Sequence, residues 1–175
     1  MSPNALQSCL GVDFTRLLPL VQQAHLGHIE LRGHVDVARG NGLGGFLAGI
    51  LGMPATNPVC PMTVQGDHLN DRMIWRRSFD GRCLESQFVL EGNHLIEMMG
   101  PLKLKLRPSA VAGRLHYELD ATHVGPLRLP RGLGPTLRAW EGEADGLYEF
   151  EVDIGLPLIG RLVRYAGRLQ LVKGG

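Results

Sequence analysis

Apolar and polar residues alternate along many short stretches of this chain, which is the pattern of β-strands with one buried face. In residues 28–37 the odd-numbered positions are apolar or glycine, and the even-numbered positions are polar or charged. The same alternation occurs in residues 102–107, 115–120 and 148–153. Because successive side chains of a strand point to opposite faces, each of these strands is predicted to bury one face and expose the other.

Turn residues separate the strands at short intervals, as in an antiparallel meander. The dipeptides Asp80-Gly81 and Asp145-Gly146 are predicted to form tight hairpin turns, since both central positions of such a turn have positive φ. The 24 glycines and 11 prolines interrupt the chain often, which is typical of many short strands rather than of a helical bundle.

Two short helices are predicted between the strands. The first begins at Pro19, continues through Ala24 and ends near His25. The second covers the apolar stretch 43–51 and stops before Gly52. Its composition indicates a buried helix, and one-sided strands can hide their apolar faces by wrapping around such a helix or by closing into a barrel.

These patterns together predict the fold class. A length of 175 residues suits one domain, and the hydrophobic content of 44% and charged content of 20% are those of an ordinary globular protein. We predict a single α+β domain over residues 1–175 that is mainly β, built as a strongly curved antiparallel sheet or incomplete β-barrel. One or two short helices are expected to plug its open side, with 43–51 as the filler.

The charge balance and the cysteines bear on partners and location. With 18 basic and 17 acidic residues the net charge is +1, so neither nucleic acid nor a membrane is an expected partner. Three cysteines without a CxxC pair indicate free thiols in a reducing compartment. The chain begins with no secretory signal pattern, and its apolar runs are too short to span a bilayer, so a cytoplasmic location is expected.

Arg77 is the most informative polar residue, because it shares a strand face with Trp75 and Phe79. If that face is the inner one, the cation needs an acidic partner, bound water or an anionic ligand, since burying an unpaired charge is costly. Other polar residues in phase with apolar neighbours are Ser86, Tyr117, Glu141 and Tyr165. The five side chains could converge in one cavity, where Arg77 and Glu141 could neutralise each other, orient a ligand carbonyl or move a proton.

Two simpler interpretations of these residues stay open. In the first, Arg77 and Glu141 form an ion pair with a purely structural role. Alternatively, one strand face is reversed, since a shift of one residue turns every side chain over. In that case Arg138 and Trp140 point inward, and Glu141 is a surface acid.

The remaining motifs give weaker evidence for a functional site. Residues 40–45 match the GxGxxG pattern of dinucleotide-binding folds, but the flanking strands alternate and the chain continues as hairpins, so a flexible turn with close backbone packing is the expected role. His25 and His28 form no recognised metal-binding spacing, and a surface or helix-capping role is expected for them. We find no nucleophile motif, and neither a metal nor a cofactor is expected.

Several motifs resemble a bacterial family, the domain of unknown function numbered four-one-six-six. Trp75 to Gly81 is similar to its W-x-R-x-F-x-G element, Gly100-Pro101 to its G-P element, and Gly125 to Pro130 to its G-x-P-L-P element. Pro157 to Gly167 is similar to the closing element P-L-x-G-x-L-V-x-Y-x-G, and the resemblance covers about residues 10–172.

The resemblance implies one β-rich domain. The family also occurs fused to saccharopine-dehydrogenase-like or reductase-like domains, which implies small-molecule metabolism and a possible reductase partner. It assigns no catalytic residue. It adds weight to Arg77, Glu141, Arg164 and Tyr165 as positions to test.

Three functions follow as hypotheses. The leading one is a lipocalin-like binding module for a small, largely apolar metabolite with a carbonyl or carboxylate group near Arg77. The expected ligand contacts are Trp75, Ser86, Phe88, Tyr117, Phe150 and Arg164. The second is a cofactor-independent isomerase, cyclase or dehydratase acting on a polyketide- or terpene-like intermediate, with Glu141, Arg77 and Tyr165 as catalytic residues. The third is an interaction module for a reductase.

Overall fold

Pairing between strands that follow one another in sequence builds a closed antiparallel β-barrel. The computed structural model describes residues 3–69, 72–130 and 132–172. Its helices are α1 (Ala5–Leu10), α2 (Pro19–Ala24) and α3 (Gly42–Ile50), with a 3₁₀ helix at Gly11–Arg16. Its strands are β1 (Gly27–Arg39), β2 (Asn57–Leu69), β3 (Arg72–Phe79), β4 (Arg82–Glu91), β5 (His94–Met99), β6 (Leu102–Val111), β7 (Arg114–Val124), β8 (Leu127–Arg128), β9 (Thr136–Ala144), β10 (Leu147–Leu156) and β11 (Gly160–Val172).

Ten strands form the barrel wall, and the short β8 pairs only with the end of β7. Strand β7 also pairs with β9, and β11 returns to pair with β1. The predicted mainly β, antiparallel class is confirmed. The prediction of an incomplete barrel is wrong, because the β1–β11 and β6–β7 ladders join every wall strand to two neighbours and leave no open edge.

The predicted strand faces and turns can be checked in β1 and the hairpins. Leu31, Val35 and Val37 of β1 are buried, while the even-numbered side chains from 28 to 36 are exposed or half-buried, as the alternation predicts. The two hairpin turns have φ of 47° and 81° at Asp80-Gly81, and 54° and 73° at Asp145-Gly146. Both turns are therefore confirmed as primed turns.

Helices cover one end of the barrel, which we call the closed end. β1 begins and β2 ends there, and α1, the 3₁₀ helix and α2 pack across it. These segments contribute Leu6, Phe14 and Val21 to the same core as the inner faces of the strands. The predicted helix from Pro19 to Ala24 is confirmed as α2, whereas α1 and the 3₁₀ helix were not predicted.

The helix α3 lies at the opposite end, which we call the open end, where β1 ends and β2 begins. A helix was correctly predicted there, but the prediction that it fills the sheet is wrong. α3 buries its small residues Gly44 and Ala48, because a Cβ at Gly44 would lie 2.5 Å from the carbonyl oxygen of Arg161. Its larger side chains face solvent. No helix in the described part of the chain is long and apolar enough to cross a membrane.

The glycines of the segment 40–45 serve close backbone packing. The sheet around them is entirely antiparallel, so the parallel βαβ unit of a dinucleotide-binding site is not formed. Gly40 N–H donates to the carbonyl oxygen of Leu162 at 2.8 Å, and a Cβ at Gly40 would lie 1.8 Å from the carbonyl oxygen of Arg161. This contact fixes α3 against the start of β11.

We predict that Gly40→Ala lowers the free energy of unfolding by about 1–3 kcal/mol, because the added methyl forces the β1–β11 backbones apart. Urea unfolding at neutral pH measures the effect. Gly132→Ala is the matched control, since a Cβ there meets nothing within 4 Å. Equal stability of the two variants would contradict the proposed packing role.

Candidate functional site

The inner faces of the strands enclose a cavity that extends toward the open end. The space that the centres of water-sized molecules can occupy is about 120 Å³. A single water needs roughly 10–15 Å³ by this measure, so there is room for a small organic molecule. The walls are mostly apolar, and Met53 and Pro54, which follow α3, line the cavity on the side of the open end.

Arg77 lines this cavity from β3. Its Nη1 donates a hydrogen bond to Ser86 Oγ at 2.9 Å and lies 4.0 Å from Glu97 Oε1. The guanidinium carbon is 5.8 Å from the centroid of the Trp75 ring. Three successive strands therefore supply this group, because Arg77 lies on β3, Ser86 on β4 and Glu97 on β5.

The charge of Arg77 is maintained by its neighbours. Burial alone lowers the pKa of Arg77, but the negative potential of Tyr165, Glu97 and Glu141 outweighs that effect and raises the pKa above its ordinary value. Arg77 is therefore a cation at every pH at which the protein is folded. It offers N–H donors and no acceptor.

Glu141, on β9, is the centre of a second polar group. Its Oε2 lies 2.5 Å from His25 Nε2, and its Oε1 accepts a hydrogen bond from the Tyr117 hydroxyl at 3.1 Å. His25 is fully buried at the end of α2, so the N-terminal segment delivers a side chain to the barrel interior. Each oxygen of the carboxylate thus has its own hydrogen-bond partner.

The contacts of Glu141 favour its ionised form. Burial by itself raises the pKa of Glu141. The charge of His25 and hydrogen bonds from His25, Tyr148 and Tyr117 lower the pKa by more than burial raises it, so the net shift is downward. Burial and the Glu141 charge raise the pKa of Tyr117 and of Tyr148 well above the ordinary value. At neutral pH both tyrosines are therefore protonated and able to donate.

His68 lies beside this group at the closed end of the cavity. Its ring centroid is 5.6 Å from that of His25 and 4.7 Å from that of Trp75. Within the described part of the chain, neither ring nitrogen of His68 has a hydrogen-bond partner. Burial and, after it, the charge of His25 lower the pKa of His68 to about 3. His68 is therefore neutral at physiological pH.

The structure brings most of the sequence-predicted residues to this cavity. Those that line it are Trp75, Arg77, Ser86, Phe88, Tyr117, Glu141, Phe150 and Tyr165. The charges are arranged differently from the suggested Arg77–Glu141 pair, since Glu97 is the acid beside Arg77 and His25 is the base beside Glu141. Both charges remain inside the barrel.

Arg164, expected as a ligand contact, requires a correction. It lies on the outer face of β11, where Nη1 is 3.2 Å from Asp36 and Nη2 is 2.9 Å from Glu151. The physical reason is the strand period, because Arg164 lies between Val163 and Tyr165, which are both buried on the inner face. Arg164 therefore forms surface ion pairs with β1 and β10.

Four functional candidates were not predicted as such from the sequence: His68, Glu97, Tyr148 and His25. His25 was expected in a surface or helix-capping role, and it is the C-cap of α2 but is fully buried. A signal existed for three of them, because each is in phase with apolar residues of its own strand, as Glu97 is with Leu95 and Met99. His25 follows a helix and carries no such period. Only the packing of α2 across the closed end reveals its position.

Among residues 3–69, 72–130 and 132–172, no group of three or more histidine, cysteine, aspartate or glutamate side chains is placed to hold a metal ion. The acids and histidines of the cavity instead contact arginine, tyrosine and one another.

A closed antiparallel barrel with one plugged end, an apolar cavity and a buried cluster of charges defines the class of this protein as an internal-cavity β-barrel. The chain belongs to the family described as Domain of unknown function (DUF4166), whose family model matches residues 17–169. Comparisons with curated proteins and with solved structures gave no match.

We predict that His68→Leu weakens the acid sensitivity of the fold. In the wild type, His68 takes up a proton on unfolding between its ordinary pKa of 6.5 and its folded pKa of about 3, so stability falls as the pH drops through this range. The slope from one such group approaches about 1.4 kcal/mol per pH unit. Urea unfolding from pH 7 to pH 4 should show a shallower slope for His68→Leu.

The matched control is His34→Leu, which replaces an exposed histidine on the outer face of β1. Its slope should equal that of the wild type. Identical slopes for His68→Leu and the wild type would contradict the buried, neutral state of His68.

Proposed function

We propose that the barrel binds a small, largely apolar metabolite whose carbonyl or carboxylate oxygen accepts hydrogen bonds from Arg77. The observation that carries this proposal is a guanidinium facing a mostly apolar cavity, with donors left over after its bond to Ser86. A guanidinium has five N–H donors, and the bond to Ser86 uses one of them. The remaining donors suit a ligand oxygen.

The walls of the cavity support an apolar ligand body. Aromatic and aliphatic side chains from most of the strands surround the polar end, among them Val64, Leu84, Phe88, Leu104, Phe150 and Ile154. Ligand sites of this kind combine an apolar lining with a few polar groups that fix orientation. The ligand would place its oxygen at Arg77 and its apolar part toward the open end.

The neighbouring acids favour a carbonyl over a carboxylate. Glu97 and Glu141 both act on Arg77, so its positive charge is already offset before a ligand enters. A second anion beside these acids would be repelled, whereas a neutral carbonyl oxygen adds hydrogen bonds without adding charge. An uncharged ketone, aldehyde or ester is therefore the preferred ligand class.

The test compares Arg77→Met with Arg76→Met, using a neutral fluorescent naphthyl ketone as the probe. Arg76 is the adjacent residue on the outer face of β3, paired with Glu85 at 2.9 Å. Losing a charged hydrogen bond costs about 1.5–3 kcal/mol, so Arg77→Met should weaken ketone binding roughly ten- to hundredfold. Arg76→Met should bind as the wild type does. Equal affinities of the two variants would reject Arg77 as the anchor.

A second candidate function is supported by the contacts of Glu141. Its carboxylate is held by His25 and Tyr117 inside a cavity that also contains Arg77 and Tyr165, which is a set suited to proton abstraction next to a carbonyl. Arg77 and a tyrosine hydroxyl would then stabilise the developing enolate oxygen. The reaction class would be a cofactor-independent isomerisation, cyclisation or dehydration.

We predict that the wild type speeds exchange of the α-hydrogens of the ketone probe in D₂O and that Glu141→Gln loses this activity by about a hundredfold or more. Proton NMR of the probe follows the exchange. Glu149→Gln, on the outer face of β10 and paired with Arg168, is the control and should keep the wild-type rate. If Glu141→Gln exchanged the probe as fast as the wild type, the enzyme hypothesis would fail and the binding hypothesis would stand.

A further inference from the structure

Large apolar side chains on the outer surface are concentrated at the open end of the barrel. In the described part of the chain, those more than half exposed lie in segments at this end, apart from Val12 and Val111. They include Leu43, Phe46 and Ile50 of α3, Leu127 of β8, and the loop residues Leu133 and Leu158. They come from three separate connections between strands and so form a rim rather than a groove.

The orientation of α3 is the reverse of that expected for a surface helix. A helix on a globular protein usually packs its large apolar residues inward. α3 packs Gly44 and Ala48 inward and leaves Phe46 66% and Ile50 67% exposed. An exposed apolar face of this kind marks an interaction surface.

Leu158 supports the same interpretation from the β10–β11 turn beside α3, where a Cβ at Gly44 would lie 3.7 Å from the side chain of Ile159. It is fully exposed in the β10–β11 turn and has a φ of 66°, a conformation that favours glycine or asparagine. Neither the turn nor the core therefore explains a leucine at this position. A partner that accepts an apolar side chain would explain it.

The charges near this rim are mainly basic. Arg82, Lys103 and Arg128 are exposed at the starts of β4, β6 and in β8, with Asp80 as the exposed acid next to Arg82. Several acids of the chain lie instead on the outer wall, for example Glu149, which pairs with Arg168. A net charge of +1 therefore does not describe the local charge of the open end.

We propose that the open end docks on a bilayer that contains anionic phospholipids. An apolar centre with basic residues at its margin matches the interface of such a bilayer, where each lysine or arginine contributes attraction to the lipid phosphates. A rim formed by three connections suits a broad surface better than it suits a peptide or helix. Phe46, Ile50 and Leu158 insert between the headgroups, while Arg82 and Lys103 contact phosphate.

The docked orientation places the side of the cavity lined by Met53 and Pro54 against the lipid. An apolar ligand can then pass between bilayer and cavity without crossing water. This transfer role rests on the proposed function, whereas docking itself depends only on the outer surface. The two are tested by separate measurements.

The experiment is sedimentation of the protein with vesicles of phosphatidylcholine alone or mixed with phosphatidylglycerol. The wild type should bind the mixed vesicles more strongly. Phe46→Ser combined with Leu158→Asn should weaken that binding about tenfold or more, because two inserted apolar side chains are lost. Arg82→Glu combined with Lys103→Glu should weaken it about tenfold or more and remove the preference for anionic lipid.

The controls carry the same types of change at the closed end. Val12→Asn and Arg16→Glu replace exposed side chains there and should bind as the wild type does. The single variant Leu158→Asn is expected to fold normally, since asparagine suits the positive φ of that turn, so a loss of its vesicle binding cannot be attributed to misfolding. Near-ultraviolet circular dichroism checks the fold of each variant.

Three results would overturn the docking proposal. The first is that the wild type binds neither kind of vesicle. The second is that Val12→Asn loses as much vesicle binding as Phe46→Ser with Leu158→Asn. The third is a dimer in sedimentation velocity that Phe46→Ser with Leu158→Asn dissociates, because a second copy of the chain would then cover the rim. If vesicle binding persists while Arg77→Met binds the ketone as the wild type does, the ligand proposal fails and docking stands.

Discussion

Charges on the inner face of the barrel are balanced mainly by one another, because the continuous strand wall separates them from the solvent around the barrel. Arg77 has Ser86 and Glu97 as partners, and Glu141 has His25 and Tyr117. The two groups also act on each other, since Glu141 raises the pKa of Arg77. Removing one member leaves the charge of its partner uncompensated in a largely apolar interior, so the cluster behaves as a unit.

The N-terminal segment is part of this unit as well as a plug for the barrel. α2 ends at His25, and the same helix is fixed by the Leu20 N–H bond to Glu143 on β9, the strand that carries Glu141. The Asn4 amide donates to the His25 carbonyl at 2.6 Å, which ties α1 to the same point. The position of the histidine therefore depends on the packing of the whole closed end.

Local patterns in the sequence predicted the strands and the hairpins, because these depend on a period of two and on turn residues. They placed Arg77 on the face of Trp75 and Phe79 but left open whether that face is the inner one. They did not predict closure, which requires β11 to return to β1 from more than a hundred residues away. They also assigned α3 to the core, since its composition is apolar throughout and only the glycine contact with Arg161 shows which face is buried. His25 and the acid beside Arg77 required the assembled barrel.

The two ends of the barrel differ in how they are covered, and the charge cluster alone does not require that difference. A ligand site needs polar groups at a fixed depth, and the cluster supplies them on the inner wall while helices seal the closed end. A sealed barrel with a second helical plug would be more stable, because it would bury the side chains that α3 exposes. The open end instead keeps a glycine-rich helix on its rim, with its largest apolar residues facing out. In the proposed docked state an apolar phase meets the rim, and the exposed helix and the buried charges would then serve the same route for an apolar ligand.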